Sequence, residues 1–312
     1  MRLALFKKTL PLLLRVFIFF LFIITFQSSL LAQDKDATVT KSDTLKGILP
    51  KKPDVTAPET QKEIKTEKKL ATKIYSIDQF AHESVLYAKQ PTKWKGNDWL
   101  RLGIVVAATA AAMPFDKGIT NSTQGQQRYY YSPLIVGGRV YGEWYSIGGV
   151  AGIFGAYGLI AHDTASKKIA IELLQAGIYA EITTEVLKII VGRERPIATE
   201  EPFTFHSFTV SDYNFQSMPS GHATSAFALS TVMSRHAPTT FLKILAYVPA
   251  GFTMFSRIYQ HQHWLSDEVP GAAIGFFVGN WVVDLHEGKR HRINVTSMYP
   301  VGISYSLDKV SP

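Results

Sequence analysis

Apolar and polar positions segregate into long blocks along this chain. Arg2, Lys7, Lys8 and Arg15 precede an apolar run, Val16 to Phe26, and Leu30-Leu31-Ala32 follows it. A basic start, an apolar centre and a small closing residue are the layout of a secretory signal. Residues 1–32 are therefore expected to be a signal peptide or signal anchor, with the remainder outside the cytoplasm. Residues 33–73 are rich in Lys, Asp, Glu, Thr and Pro and read as a disordered charged linker. An amphipathic stretch follows from Ile74 to Lys89. Beyond Trp99 come six apolar blocks: Leu102 to Phe115, Trp144 to Ile160, Ile169 to Val191, Ala223 to Met233, Phe241 to Phe255 and Val269 to Leu285. Most are too long for strands and lack period-two alternation, which predicts helices. The expectation is an all-α bundle of about six core helices, membrane-embedded, within a domain spanning 74–290. A C-terminal tail, 291–312, follows, and in it Ile293 to Leu307 alternates weakly like a strand.

Composition narrows the function classes. The 312 residues include no cysteine, which excludes a disulfide scaffold, a thiolate metal site and a cysteine nucleophile. Mean hydropathy is +0.04, an average over a polar linker and apolar helices. The formal net charge of +8 suggests anionic partners. It is spread over the linker and several loops, so no nucleic-acid partner is expected.

Three short segments carry chemistry, each at the end of an apolar block. In the first, Lys188 and Arg195 stand seven apart, two helical turns on one face, followed by Pro196. Gly192 loosens the helix end. The pair reads as an anion clamp at the mouth of a bundle or as a positive flank at a membrane boundary. In the second, Pro219-Ser220-Gly221-His222 opens a helix. Ser220 is suited to the N-cap, Gly221 to close backbone approach and the helix N-terminus to an anion. His222 could donate a proton to a leaving oxygen; a capped helix with an incidental histidine is the alternative. In the third, Ser256-Arg257 precedes His261, His263 and Asp267. His263 and Asp267, four apart, would share a helix face, the carboxylate fixing the ring tautomer. A polar helix–helix corner would look the same, and His261 lacks such a carboxylate. Together the segments offer fixed cations, an anion pocket and two histidines, which is what phosphoryl transfer asks for.

In that order, Lys-x6-Arg-Pro, Pro-Ser-Gly-His and Ser-Arg-x5-His-x3-Asp resemble the three signature motifs of the type 2 phosphatidic acid phosphatase (PAP2) superfamily. That superfamily includes lipid phosphatases, soluble bacterial class A acid phosphatases and vanadium haloperoxidases. The resemblance covers Trp99 to Leu285 and implies a metal-independent phosphatase with no cofactor. It implies His263 as a nucleophile forming a phosphohistidine, Asp267 as its orienting carboxylate and His222 as acid, then base. Lys188, Arg195, Ser220, Gly221 and Arg257 would hold the phosphate. Arg193 is an additional cation not expected to touch it. The partners implied are the membrane and a phosphorylated lipid or other phosphate ester: phosphatidic acid, phosphatidylglycerol phosphate, a polyprenyl diphosphate or a lipid A phosphate. A soluble periplasmic acid phosphatase and a vanadium-dependent haloperoxidase are the alternatives. The loop Ile197 to Ser217, with Phe203, Phe205, Phe208 and Tyr213, is expected to shape the entrance.

In the superfamily's membrane members the motifs face away from the cytoplasm. That orientation follows here if block one does not span. With about 14 apolar residues where about 20 are wanted, it is the natural block to leave out. Lys167, Lys168, Arg235, Lys243, Lys289, Arg290 and Arg292 would then be cytoplasmic, as the positive-inside rule expects. Glu181 and Glu185 inside an apolar block oppose a simple span.

Overall fold

The structure is a computed structural model and describes residues 75–124 and 127–288. The signal, the linker and the C-terminal tail lie outside the described residues. Two compact units divide at Thr92 and Lys93. In the first, α1 (Ile77–Ala88) is capped by Ser76, whose side chain accepts from the Gln79 N–H at 3.1 Å. It realises the amphipathic stretch from Ile74.

The second unit is all-helical among the described residues, apart from one isolated bridge between Arg193 and Phe205. Its helices are α2 (Gly96–Ala112), α3 (Asp116–Gln124), α4 (Pro133–Tyr141), α5 (Trp144–Ile160), α6 (Thr164–Val191), α7 (Gly221–His236), α8 (Thr240–Leu245), α9 (Val248–Tyr259) and α10 (Leu265–His286). Six of them, α2, α5, α6, α7, α9 and α10, carry the six expected apolar blocks, and α3, α4 and α8 are short additional helices. The block from Phe241 to Phe255 is broken between α8 and α9, with Pro249 in the first turn of α9. Helices α3 and α4 are short, one polar and one glycine-interrupted, so neither left an apolar period in the sequence.

Local chemistry explains the boundaries nearest the site. Asp163 caps α6 by accepting from the Ser166 N–H at 2.8 Å. The helix stops where Gly192 turns left-handed, φ 60°, at no steric cost. Ser220 caps α7, accepting from the Ala223 N–H at 3.3 Å. The core is built around α7, which packs against α6, α9 and, most extensively, α10. Gly271, Gly275 and Gly279 form the seam on α10. A Cβ added at these positions would stand 2.4 Å from Ser220 O, 2.3 Å from Thr224 O and 2.9 Å from Thr231 Cβ. Backbone-to-backbone contact along that seam sets how closely the ends of α7 and α10 approach.

The apolar surface is turned outward. On α6, Leu174, Ile178, Ile182, Val186 and Ile190 recur every four residues, and all are exposed. They cover about 24 Å of helix, at 1.5 Å per residue. Contiguous α2 and α3 make a 28-residue helical run, Gly96–Thr123, long and apolar enough to cross a membrane, and 6% of its most apolar window is buried. It is the one such helix among the described residues; α5 is shorter and also apolar. The run is twice the length of the apolar block from Leu102 to Phe115, which removes the length argument for leaving block one out of the membrane.

Candidate active site

The three sequence segments converge at one end of the bundle: the last turn of α6 and the loop after it, the start of α7, and the turn joining α9 to α10. His263 sits at the centre, 1% exposed. The spacing to Asp267 predicted a helical His263, but His263 lies before the helix. It precedes Trp264, the N-cap of α10, in a tight turn where His261 takes a left-handed φ of 54°. Its Nδ1 lies 2.7 Å from the carbonyl oxygen of Ser217. A carbonyl only accepts, so Nδ1 carries the proton and the lone pair is on Nε2. Burial first, then the charges of Arg195 and Arg257, hold this imidazole well below the ordinary histidine value, so it is neutral.

Asp267 is 3.9 Å from His263 Nδ1, too far for a hydrogen bond. The expected direct partnership is thus replaced by an indirect one. Asp267 Oδ2 accepts from Ser217 Oγ at 2.5 Å and from the Trp264 N–H at 2.9 Å. The carboxylate therefore fixes the residue whose carbonyl fixes the ring. Ser217 was invisible as a site residue, although it lies two positions before Pro219.

Arg195 lies beyond the end of α6, so it does not share a helix face with Lys188; the loop brings the two to the same end of the bundle. Its guanidinium donates to the carbonyls of Tyr213, Gln262 and Gln216 at 3.0 to 3.1 Å and stacks 3.9 Å from the Tyr213 ring centroid. Its Nη1 stands 3.4 Å from His263 Nε2. Arg195 thus fixes the histidine turn and donates a long hydrogen bond to the Nε2 lone pair. Lys188, at the end of α6, is buried and donates to Glu185 at 2.6 Å, leaving two of its three N–H groups. A Cβ at Gly221 would lie 3.2 Å from Lys188 Nζ, so glycine there keeps the lysine against the α7 N-terminus. Arg257 donates from Nη1 to Gln260 Oε1 at 2.6 Å, and its buried Nε has no partner among the described residues.

His222 faces His263 with ring centroids 6.3 Å apart. Its Nε2 approaches Glu143 Oε1 at 3.4 Å. Glu143, which precedes α5, is held below the ordinary carboxylate value chiefly by this contact. Nothing in the sequence marked it. Glu181 accepts a hydrogen bond from Ser225 Oγ, so both carboxylates that opposed a simple span have partners inside the protein. His261 stands apart, 3.0 Å from Thr123 Oγ1. Among the described residues, no group of three or more His, Cys, Asp or Glu is arranged to hold a metal ion. In sum, the end of the bundle presents a neutral imidazole with its lone pair on Nε2, a second histidine across a gap, and three cations around a helix N-terminus.

Parts of the chain are similar to known proteins. Residues 170–290 match the PAP2 superfamily model. Over 98 residues the chain is 39% identical to a lipid A 1-phosphatase of Porphyromonas gingivalis, covering 30% of this chain and 20% of that protein. Over 117 residues it is 26% identical to an undecaprenyl-diphosphatase of Sulfolobus acidocaldarius, covering 38% of this chain and 53% of that protein. A transmembrane PAP2-type phosphatidylglycerolphosphate phosphatase from Bacillus subtilis, known from its crystal structure, aligns with a TM-score of 0.48 at 19% identity, over 62% of this chain and 96% of that one. The chain spans a fifth of the first curated relative and about half of the second. Residues 170–290 of this chain are a PAP2 superfamily domain.

Proposed function

We propose that this protein is a metal-independent phosphatase that hydrolyses phosphomonoesters or diphosphates, with lipid phosphates as its substrates, through a phosphohistidine intermediate. The observation that carries the reading is the proton arrangement on His263. With Nδ1–H committed to the Ser217 carbonyl, Nε2 carries the nucleophilic lone pair in a buried, cation-lined pocket, met there by a long hydrogen bond from Arg195. In the first half-reaction Nε2 attacks phosphorus and the P–O bond to the leaving group breaks. His222 delivers its proton to the departing alkoxide or phosphate oxygen. Positive charge on the phosphorylated ring is balanced through Ser217 and Asp267. In the second half-reaction His222, now neutral, takes a proton from water as its oxygen attacks phosphorus. The P–N bond breaks and inorganic phosphate leaves. Lys188, Arg195 and Arg257, with the Gly221 N–H at the start of α7, stabilise the equatorial oxygens.

A lipid substrate is supported by the exposed apolar side chains along α2, α5 and α6, and by relatives named for lipid A and undecaprenyl diphosphate. The catalytic end is proposed to face away from the cytoplasm, with the run Gly96–Thr123 lying beside the other helices without crossing. Lys167 and Lys168 begin α6, Arg235 ends α7 and Lys243 lies in α8, so all four cluster toward the opposite end from His263. Purified protein tested on a panel of lipid and soluble phosphates, beside His263→Ala, tests the reading. Phosphate release by the wild type and loss of at least 10³-fold in the variant are expected. Equal rates would overturn it, and activity abolished by a chelator would overturn its metal independence.

A further inference from the structure

We propose that Asp116 is a positioning residue of this site, fixing His263 through Arg193 and Asp267. The inference rests on the phosphatase reading for its activity readout. Asp116 opens α3, outside the matched segment 170–290 and outside the three motifs. It is fully buried, and both its oxygens are occupied: Oδ1 accepts from the Ser266 N–H at 2.9 Å, and Oδ2 accepts from Ser266 Oγ at 2.6 Å and Arg193 Nη2 at 2.7 Å.

Arg193 passes the constraint on. Its five N–H groups are all spent inside the protein. Nε and Nη2 donate to the Pro202 carbonyl at 3.0 and 2.6 Å, and Nη2 also to Asp116. Nη1 donates to Ser266 Oγ and to Asp267 Oδ1, each at 2.6 Å. None is left for a phosphate. The Arg193 carbonyl also accepts the Ser217 N–H at 3.0 Å. Asp116 therefore determines which edge of the guanidinium meets Asp267. Asp267 in turn holds Ser217 Oγ, and the Ser217 carbonyl holds His263 Nδ1–H. Two carboxylates flank one guanidinium, so the charge of Arg193 is shared. Without Asp116, the cation is drawn wholly onto Asp267, and the carboxylate has less to offer the imidazolium-like ring formed in the reaction. Neither Asp116 nor the Arg193 side chain hydrogen-bonds a residue of the phosphate cradle, so substrate binding is spared.

The test compares wild type, Asp116→Asn, Asp267→Asn and the double variant, as full chains in detergent, with p-nitrophenyl phosphate as probe. Asn keeps the size and one acceptor for the Ser266 N–H but removes the charge. Expected are a 10- to 100-fold lower kcat at a KM within twofold of wild type, and a double variant no more than twofold slower than Asp267→Asn alone. An unchanged kcat, or losses that multiply in the double variant, overturns the proposal. If Asp116→Asn does not fold, Ser266→Ala cuts the same link at its bridging hydroxyl. A 3- to 30-fold loss in kcat is then expected, and no loss overturns the proposal. Should the wild type cleave no phosphate ester, the phosphatase reading fails by itself. The link is then read from the His263 Nδ1–H resonance of histidine-labelled protein: a shift in Asp116→Asn supports it and an unmoved signal overturns it.

Discussion

Gly271→Ala tests whether the α7–α10 seam sets the geometry of the site. The added methyl would stand 2.4 Å from the Ser220 carbonyl oxygen and 3.2 Å from its nitrogen. Contacts below 3.0 Å essentially do not occur, so the start of α7 must retreat by at least 0.6 Å from the second turn of α10. That retreat stretches the bond from the Ser220 N–H to the Asp267 carbonyl, now 3.0 Å, and moves the Ser220–Gly221 backbone and His222 away from His263. Overpacking of this kind costs ~1–3 kcal/mol of stability, and misplacing reacting groups by close to 1 Å costs about 10²-fold in rate. The assay is phosphate release by initial rates, with thermal unfolding of the same preparations. Gly149→Ala is the control, because nothing lies within 4 Å of its added Cβ. The expected result is kcat/KM down by about 10²-fold and a lower Tm in Gly271→Ala, with Gly149→Ala unchanged or slightly more stable. Wild-type kcat/KM and Tm in Gly271→Ala would refute the claim that the seam positions the site.

Three further outcomes follow from the same geometry. Arg193→Lys keeps a charge but cannot reproduce five fixed donors, leaving Asp116 or Asp267 unpaired; a loss of ~3–5 kcal/mol by denaturant unfolding is expected, and a loss below 1 kcal/mol would contradict the buried network. Glu143→Gln removes the negative charge beside His222, so the alkaline limb of the kcat profile moves to lower pH while KM holds; an unmoved limb would show that Glu143 does not act on the acid. His263 is neutral when folded but takes a proton below about 6.5 when unfolded. Its folded value is depressed, so the stability it contributes is lost as pH falls below that point. Wild type should lose stability between pH 7 and 5.5 more steeply than His263→Asn, by the slope of one proton, and parallel curves would refute the burial argument.

Much of this molecule was legible in its sequence, for reasons that differ by element. The bounds of α5, Trp144–Ile160, coincide with its apolar block, since polar residues flank it on both sides. The end of α6 was marked by Gly192 and the start of α7 by Ser220, because capping needs particular residue types at particular places. His222, His263, Lys188, Arg195 and Arg257 could be picked out because anion chemistry requires them near helix ends. What spacing could not convey was loop geometry. It placed Lys188 with Arg195, and His263 with Asp267, on shared helix faces, whereas Gly192 and the turn before Trp264 put one member of each pair off the helix. Asp116 and Glu143 were not visible at all. Each is a lone acid dozens of residues from the motif it serves, and only packing brings it there.

The central claim is that His263 Nε2 is the atom that takes the phosphoryl group. Rapid quenching of the wild type during turnover of a substrate labelled in its terminal phosphate tests this most directly. The account predicts a protein-bound, acid-labile and alkali-stable label that maps to His263 and is absent from His263→Ala. Label that appears only as free phosphate, with no covalent protein species at any quench time, or a label on another residue, would contradict it.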